Sequence, residues 1–204
     1  MLSWTVTFLI VALIAALLGF TGIAAASFYT AAYAAMNVGI FAVVTVVSGY
    51  EEKLSLIADY RGLIYRAPLL GSLLIFFLAS LIGIPFTAGF FGKFYAFSTA
   101  LQGGAVWLGV IGLLNSGLAA AYYLKLAVTV AQPPAAGTPQ AAAPRIGLAL
   151  GTALAFATLA TLVLGIAPTR VLSAAQAGAA SLTVAPATPS ASTTAIPPNV
   201  LWIR

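Results

Sequence analysis

The sequence predicts an all-α, polytopic bundle of transmembrane helices, with about six spans and a broken or shortened helix around Pro85 to Lys93. Three observations lead there. Of the 204 residues, 62% are hydrophobic and the mean hydropathy is +1.11. Only 5% are charged, whereas a soluble domain carries roughly 25% to cover its surface. The apolar residues also gather into stretches near the roughly 20 residues that cross a hydrocarbon core of about 30 Å. Lipid is the solvent of such a chain. It has no Cys and no His, which excludes disulfide frameworks, thiolate or imidazole metal sites, cysteine nucleophiles and histidine-based triads. The net charge of +5 does not point to nucleic acid, because the bases stand singly between apolar runs and form no basic face. They read as membrane-flanking anchors.

The first expected span covers about residues 3–22. It has no Lys or Arg before it and is too long for the apolar region of a signal peptide. A small-residue turn at Gly22 to Ala26 is expected to join it to a second span at about 27–48 in a tight hairpin. Glu51, Glu52, Lys53, Asp59, Arg61 and Arg66 then fall together, including all three acids of the chain, and read as a solvated loop. From Ala67 to Leu124 the only charged residue is Lys93. Within that stretch two short helices are expected at about 69–84 and 86–101, followed by a longer one at about 105–130. Prolines between Gln132 and Pro144 remove amide donors and bar a helix, and a last span follows at about 146–166. Residues 1–171 thus form the bundle. Residues 172–204 are rich in Ala, Ser, Thr and Pro, with too little apolar surface to offset ordering entropy, and are expected to be a disordered tail. Counted over six spans, Lys53, Arg61, Arg66, Arg170 and Arg204 lie on one side and Lys125 and Arg145 on the other, which would put the termini in the cytoplasm.

Lys93 is the residue on which chemistry rests. An ammonium at mid-membrane costs about 2.5–3.5 kcal/mol on insertion scales, and desolvation loosens an amine's hold on its proton, which is what a proton relay needs. Pro85, Gly89 and Gly92 are candidate helix-break positions, and an interrupted membrane helix is tolerated only inside protein or along a water-filled cavity. The competing reading starts the helix near Phe91 and lets the amine snorkel to the headgroups. Lys125, behind Tyr122 and Tyr123, is either an interfacial anchor or a second relay position. Tyr33, Asn37, Asn115 and Tyr122 are candidates for interhelical hydrogen bonding or for lining water. The Gly89 to Lys93 segment lacks the spacing and the Ser/Thr of a phosphate loop.

Three segments carry a likeness to a known family. They are Tyr33-Ala34-Ala35-Met36-Asn37-Val38-Gly39-Ile40-Phe41, Asp59-Tyr60-Arg61-Gly62-Leu63, and Gly83-Ile84-Pro85 through Thr87-Ala88-Gly89-Phe90-Phe91-Gly92-Lys93-Phe94-Tyr95. Asn115-Ser116 and Ala121-Tyr122-Tyr123-Leu124-Lys125 extend it. Over about Val11 to Val171 the sequence resembles the antiporter-like membrane subunits of proton-pumping NADH-quinone oxidoreductase, complex I, with subunit N the best fit. The resemblance implies a subunit of the membrane arm in the bacterial inner membrane, bound to other membrane-arm subunits and to lipid, but to no nucleic acid. It implies that Lys93 lies on a discontinuous helix in the proton route and that the termini are non-cytoplasmic. It also implies that NADH, FMN, iron-sulfur clusters and quinone belong to partner subunits, with no cofactor bound by this chain. The likeness is confined to the C-terminal portion of the family pattern, so a fragment or truncated form is expected. A related cation/proton antiporter, a membrane-bound hydrogenase subunit and a non-transporting structural fragment are the alternatives.

Overall fold

The computed structural model describes residues 20–49, 56–134, 144 and 146–182. These form seven α-helices and a short 3-10 turn, with no strand among the described residues. The helices are α1 (Phe20–Ser48), α2 (Leu63–Arg66), α3 (Pro68–Ile82), α4 (Ala88–Gln102), α5 (Val106–Ala131), α6 (Leu148–Ile166) and α7 (Pro168–Leu182). Helices α1, α5 and α6 are long and apolar enough to cross a membrane. The chain is a multi-pass membrane helix bundle.

Helix α1 is central and packs against α3, α4, α6 and α7. Phe28, Ala32, Met36, Ile40 and Val43, spaced three or four residues apart on one helix face, are all buried. The turn expected at Gly22 to Ala26 is absent, because this segment is helical and continuous with α1. Its alanines keep helical propensity high, and Ala24 and Ala25 are buried against neighbours. Most of the expected first span, like Glu51, Glu52 and Lys53, lies outside the described residues.

Helices α3 and α4 have 15 residues each, or about 22 Å at 1.5 Å per residue, so neither reaches across a core of about 30 Å alone. Their order along α1 shows how they cross. Phe77 lies on Gly39, Gly89 lies beside Met36, and Gly92 faces Tyr29 and Ala32. Tyr95 then meets Phe28 edge-on, with ring centroids 5.3 Å apart. As the chain advances from α3 into α4, its contacts on α1 move steadily back toward the α1 N-terminus. The two stretches expected as separate short spans are therefore laid end to end as one broken crossing antiparallel to α1.

That change of parity corrects the expected sidedness. Arg61 donates from Nε to the Pro133 carbonyl at 2.9 Å, so the segment before α3 and the end of α5 share one face of the bundle. Gly62, with φ of 72°, lies against Pro134, whose backbone nitrogen would be 3.1 Å from an added Cβ. The cluster read as a solvated loop is thus partly a packed clasp. Asp59 accepts from the Leu56 amide at 2.8 Å, Arg66 donates to the Asp59 carbonyl at 3.1 Å, and Tyr60 is buried. Burial pushes the Tyr60 phenol above its usual range, the Asp59 carboxylate adds to the shift, and Arg66 opposes it. Because Gly62 combines a left-handed backbone with a close neighbour, Gly62→Ala is expected to cost roughly 1–2 kcal/mol. Thermal unfolding in detergent should show a midpoint about 2–8 °C lower.

The segment expected to be disordered from residue 172 is helical as far as Leu182. Pro168 occupies the first position of α7, where its missing N–H costs nothing, and Val171 and Leu172 pack against the core. Residues 183–204 lie outside the described set.

Candidate functional site

Between Ile82 and Ala88 the broken crossing leaves helical geometry, and how each half ends defines the site. The last four carbonyls of an α-helix have no partner within the helix. In α3 these belong to Ala79, Ser80, Leu81 and Ile82. Gly83, with φ of 92°, closes a Schellman turn, in which its amide bonds the Ser80 carbonyl at 3.0 Å and the Ile84 amide bonds that of Ala79 at 3.2 Å. Leu81 and Ile82 remain, and Lys93 takes both. Its Nζ donates to Leu81 O at 2.8 Å and to Ile82 O at 3.1 Å.

The start of α4 is closed in a matching way. Thr87 Oγ1 accepts from the Phe90 amide at 3.4 Å and donates to the Ile84 carbonyl at 2.7 Å. Ser80 Oγ reaches across the break to accept the Gly89 amide at 3.3 Å. Gly165 of α6 braces the break from the side, since a Cβ there would lie 3.0 Å from the Phe86 carbonyl and 3.1 Å from the Ala88 nitrogen. Phe86 has φ of 67°, uncommon for a residue with a side chain, and its ring points away from the bundle, 84% exposed.

Lys93 is 7% exposed. Met36, alongside Gly89, lies near the midpoint of the apolar Ile23–Ser48 span, so the amine sits at mid-depth on the negative end of the α3 dipole, where a cation is favoured. The later helix start near Phe91 does not occur, because α4 begins at Ala88.

Of the three expected helix-break residues, only Pro85 lies in the break. Gly89 and Gly92 are inside α4, and their role is to make room. The Gly89 Cα sits against the Ser80 carbonyl so closely that a side chain would overlap it, whereas a Cβ on Gly92 would find Tyr29 at an ordinary 3.7 Å. Tyr33 is buried and stacked on Tyr29, with centroids 4.2 Å apart. Asn37 turns its amide onto its own helix, donating to the Tyr33 carbonyl at 2.7 Å. Asn115 is half-buried on α5, and Tyr122 and Lys125 are exposed on it. The structure does not bring Lys125 to the break.

Residues 5–119 match the family model described as NADH:quinone oxidoreductase/Mrp antiporter, TM. The chain belongs to this family. NADH-quinone oxidoreductase subunit N 1 of Solibacter usitatus is 46% identical over 162 residues, covering 79% of this chain and 33% of its own length. The subunit N of Trichlorobacter lovleyi is 38% identical over 156 residues, covering 76% of this chain and 32% of its own. A chain in the structure of respiratory complex I from Thermus thermophilus with bound aureothin superposes with a TM-score of 0.59 at 32% identity, covering 78% of this chain and 36% of that one. The chain therefore spans about a third of the length of the curated relatives it matches. In this member of the family, local sequence pattern does not reveal Ser80 or the capping role of Thr87. A serine three residues before Gly83 in an apolar run, nine residues ahead of a glycine, is the available signal for the first.

Proposed function

We propose that this chain forms the broken-helix portion of a membrane-arm subunit of NADH-quinone oxidoreductase, in a bacterial inner membrane, and that Lys93 carries a proton there. One observation bears most of the weight, namely the amine held at mid-depth on the two free carbonyls of a broken helix. An ammonium has three N–H donors and a neutral amine has two. Leu81 and Ile82 can keep two donors occupied in either state, and the third proton is then free to come and go. Moving that charge against about 100 mV takes roughly 2.3 kcal/mol, so the driving event must come from redox partners. The chain lacks Cys and His, the usual ligands of iron-sulfur clusters. On this reading NADH, FMN, iron-sulfur clusters and quinone are handled by other subunits, and this chain takes part in the oxidoreductase reaction without a redox centre of its own.

Orientation follows from the corrected topology. Arg61, Arg66 and the end of α5 that carries Lys125 share one face, while the Gly103-Gly104-Ala105 connection at the opposite face has no charge. The positive-inside rule assigns the basic face to the cytoplasm. Lys125, an exposed amine on α5, is on this reading a second position on the proton route. Lys125→Ala is expected to lower proton pumping severalfold less than loss of Lys93, measured by dye quenching in inverted vesicles. Copurification tests the assignment itself, since recovery with NADH-oxidising subunits supports it. Recovery only with hydrogenase or cation/proton antiporter subunits would contradict it.

A further inference from the structure

We propose that Ser80 is a positioning residue for Lys93, an inference that rests on the proton-carrying reading above. Ser80 is fully buried. Its hydroxyl accepts the Gly89 amide across the break. Gly89 lies one helical turn before Lys93, and Ser80 immediately precedes Leu81, so the two cross-break contacts are stacked. The Ser80–Gly89 bond lies at one level, and the Lys93 bonds to Leu81 and Ile82 lie at the next.

Gly89 allows this register because the Ser80 carbonyl rests against its bare Cα. Steric closeness alone does not fix the sliding of one half-helix on the other, but a directed hydrogen bond does. If the hydroxyl is removed, the Gly89 amide becomes a buried donor without its acceptor. The Ser80 carbonyl beside that amide already accepts from Gly83, so the cross-break bond is lost. The Leu81 and Ile82 carbonyls that follow Ser80 then lose their fixed register against α4, and the amine loses its fixed place. Ser80 thereby sets where the Lys93 proton is presented, without touching that proton itself.

The test uses the assembled complex carrying Ser80→Ala, Ser80→Cys or Ser80→Thr, and reads protons moved per NADH oxidised. Alanine removes the acceptor, cysteine keeps the approximate volume with a weak acceptor, and threonine keeps the hydroxyl. The ratio is expected to fall roughly fivefold in the alanine and cysteine variants, the scale of one lost hydrogen bond, and to stay near wild type with threonine. Where threonine prevents assembly, the alanine and cysteine pair decides. A wild-type ratio in either of these variants overturns the proposal, as does a loss of assembly and NADH oxidation in step with pumping at constant ratio. A Lys93→Arg complex run in parallel separates the two readings. Normal pumping with arginine removes the role of Lys93, whereas blocked pumping there beside a normal ratio in Ser80→Ala removes only that of Ser80.

Discussion

Lys93→Ala is expected to reduce proton translocation by the assembled complex by at least about tenfold, below even the 10²–10⁴-fold typical of removing a positioned proton-transfer group. Two losses combine. The proton carrier disappears, and the Leu81 and Ile82 carbonyls lose the donor that satisfies them at mid-membrane. A buried polar group without its partner costs about 1–3 kcal/mol, so some destabilisation accompanies the loss of transport. Native gels of the solubilised complex measure that part separately. Pumping that falls far more than assembly is the expected pattern, and unchanged pumping with intact assembly would remove Lys93 from the mechanism.

Gly89→Ala is expected to disrupt assembly where Gly92→Ala does not. Both glycines are inside α4, but only at Gly89 would a Cβ overlap a neighbouring backbone atom, the Ser80 carbonyl oxygen. A carbonyl at a Schellman turn cannot swing aside as a side chain can, so the cost should reach the upper end of the roughly 1–3 kcal/mol seen for overpacking, or exceed it. Displacing it also disturbs the Ser80–Gly89 and Lys93 contacts. At Gly92 the nearest atoms lie 3.7 Å from an added Cβ, and alanine raises helix propensity by about 1 kcal/mol. The measurement is the yield of intact complex for each variant. Equal yields would contradict the packing described for the break.

Composition made the membrane bundle legible, because a chain with 5% charged residues has no other way to be solvated. Lys93 stood out for the same reason, as an ammonium inside an apolar run needs a cause. Pro85 marked the break, since its ring and missing N–H end a helix at known places. Other features depended on distances that no local pattern carries. Gly89 and Gly92 looked equivalent as interruptions until the approach of Ser80 distinguished them. By length and hydropathy the 69–84 and 86–101 stretches read as two crossings, because these properties do not say whether consecutive helices fold back or continue. Their contacts with α1 do, and the sidedness count changed with them. The stretch from residue 172 to Leu182 reads as disordered from its small residues, yet it continues the helix that starts at Pro168, since alanine favours helix once Val171 and Leu172 find a surface.

Arginine at position 93 isolates the central claim. It keeps a cation and N–H donors for the end of α3 but does not release its proton at accessible pH. Proton translocation by a reconstituted Lys93→Arg complex, followed with a pH-sensitive dye while NADH is oxidised, is therefore the most direct measurement. Assembly near wild type with pumping abolished is the predicted result. Pumping at the wild-type rate would show that no exchangeable proton is needed at this amine.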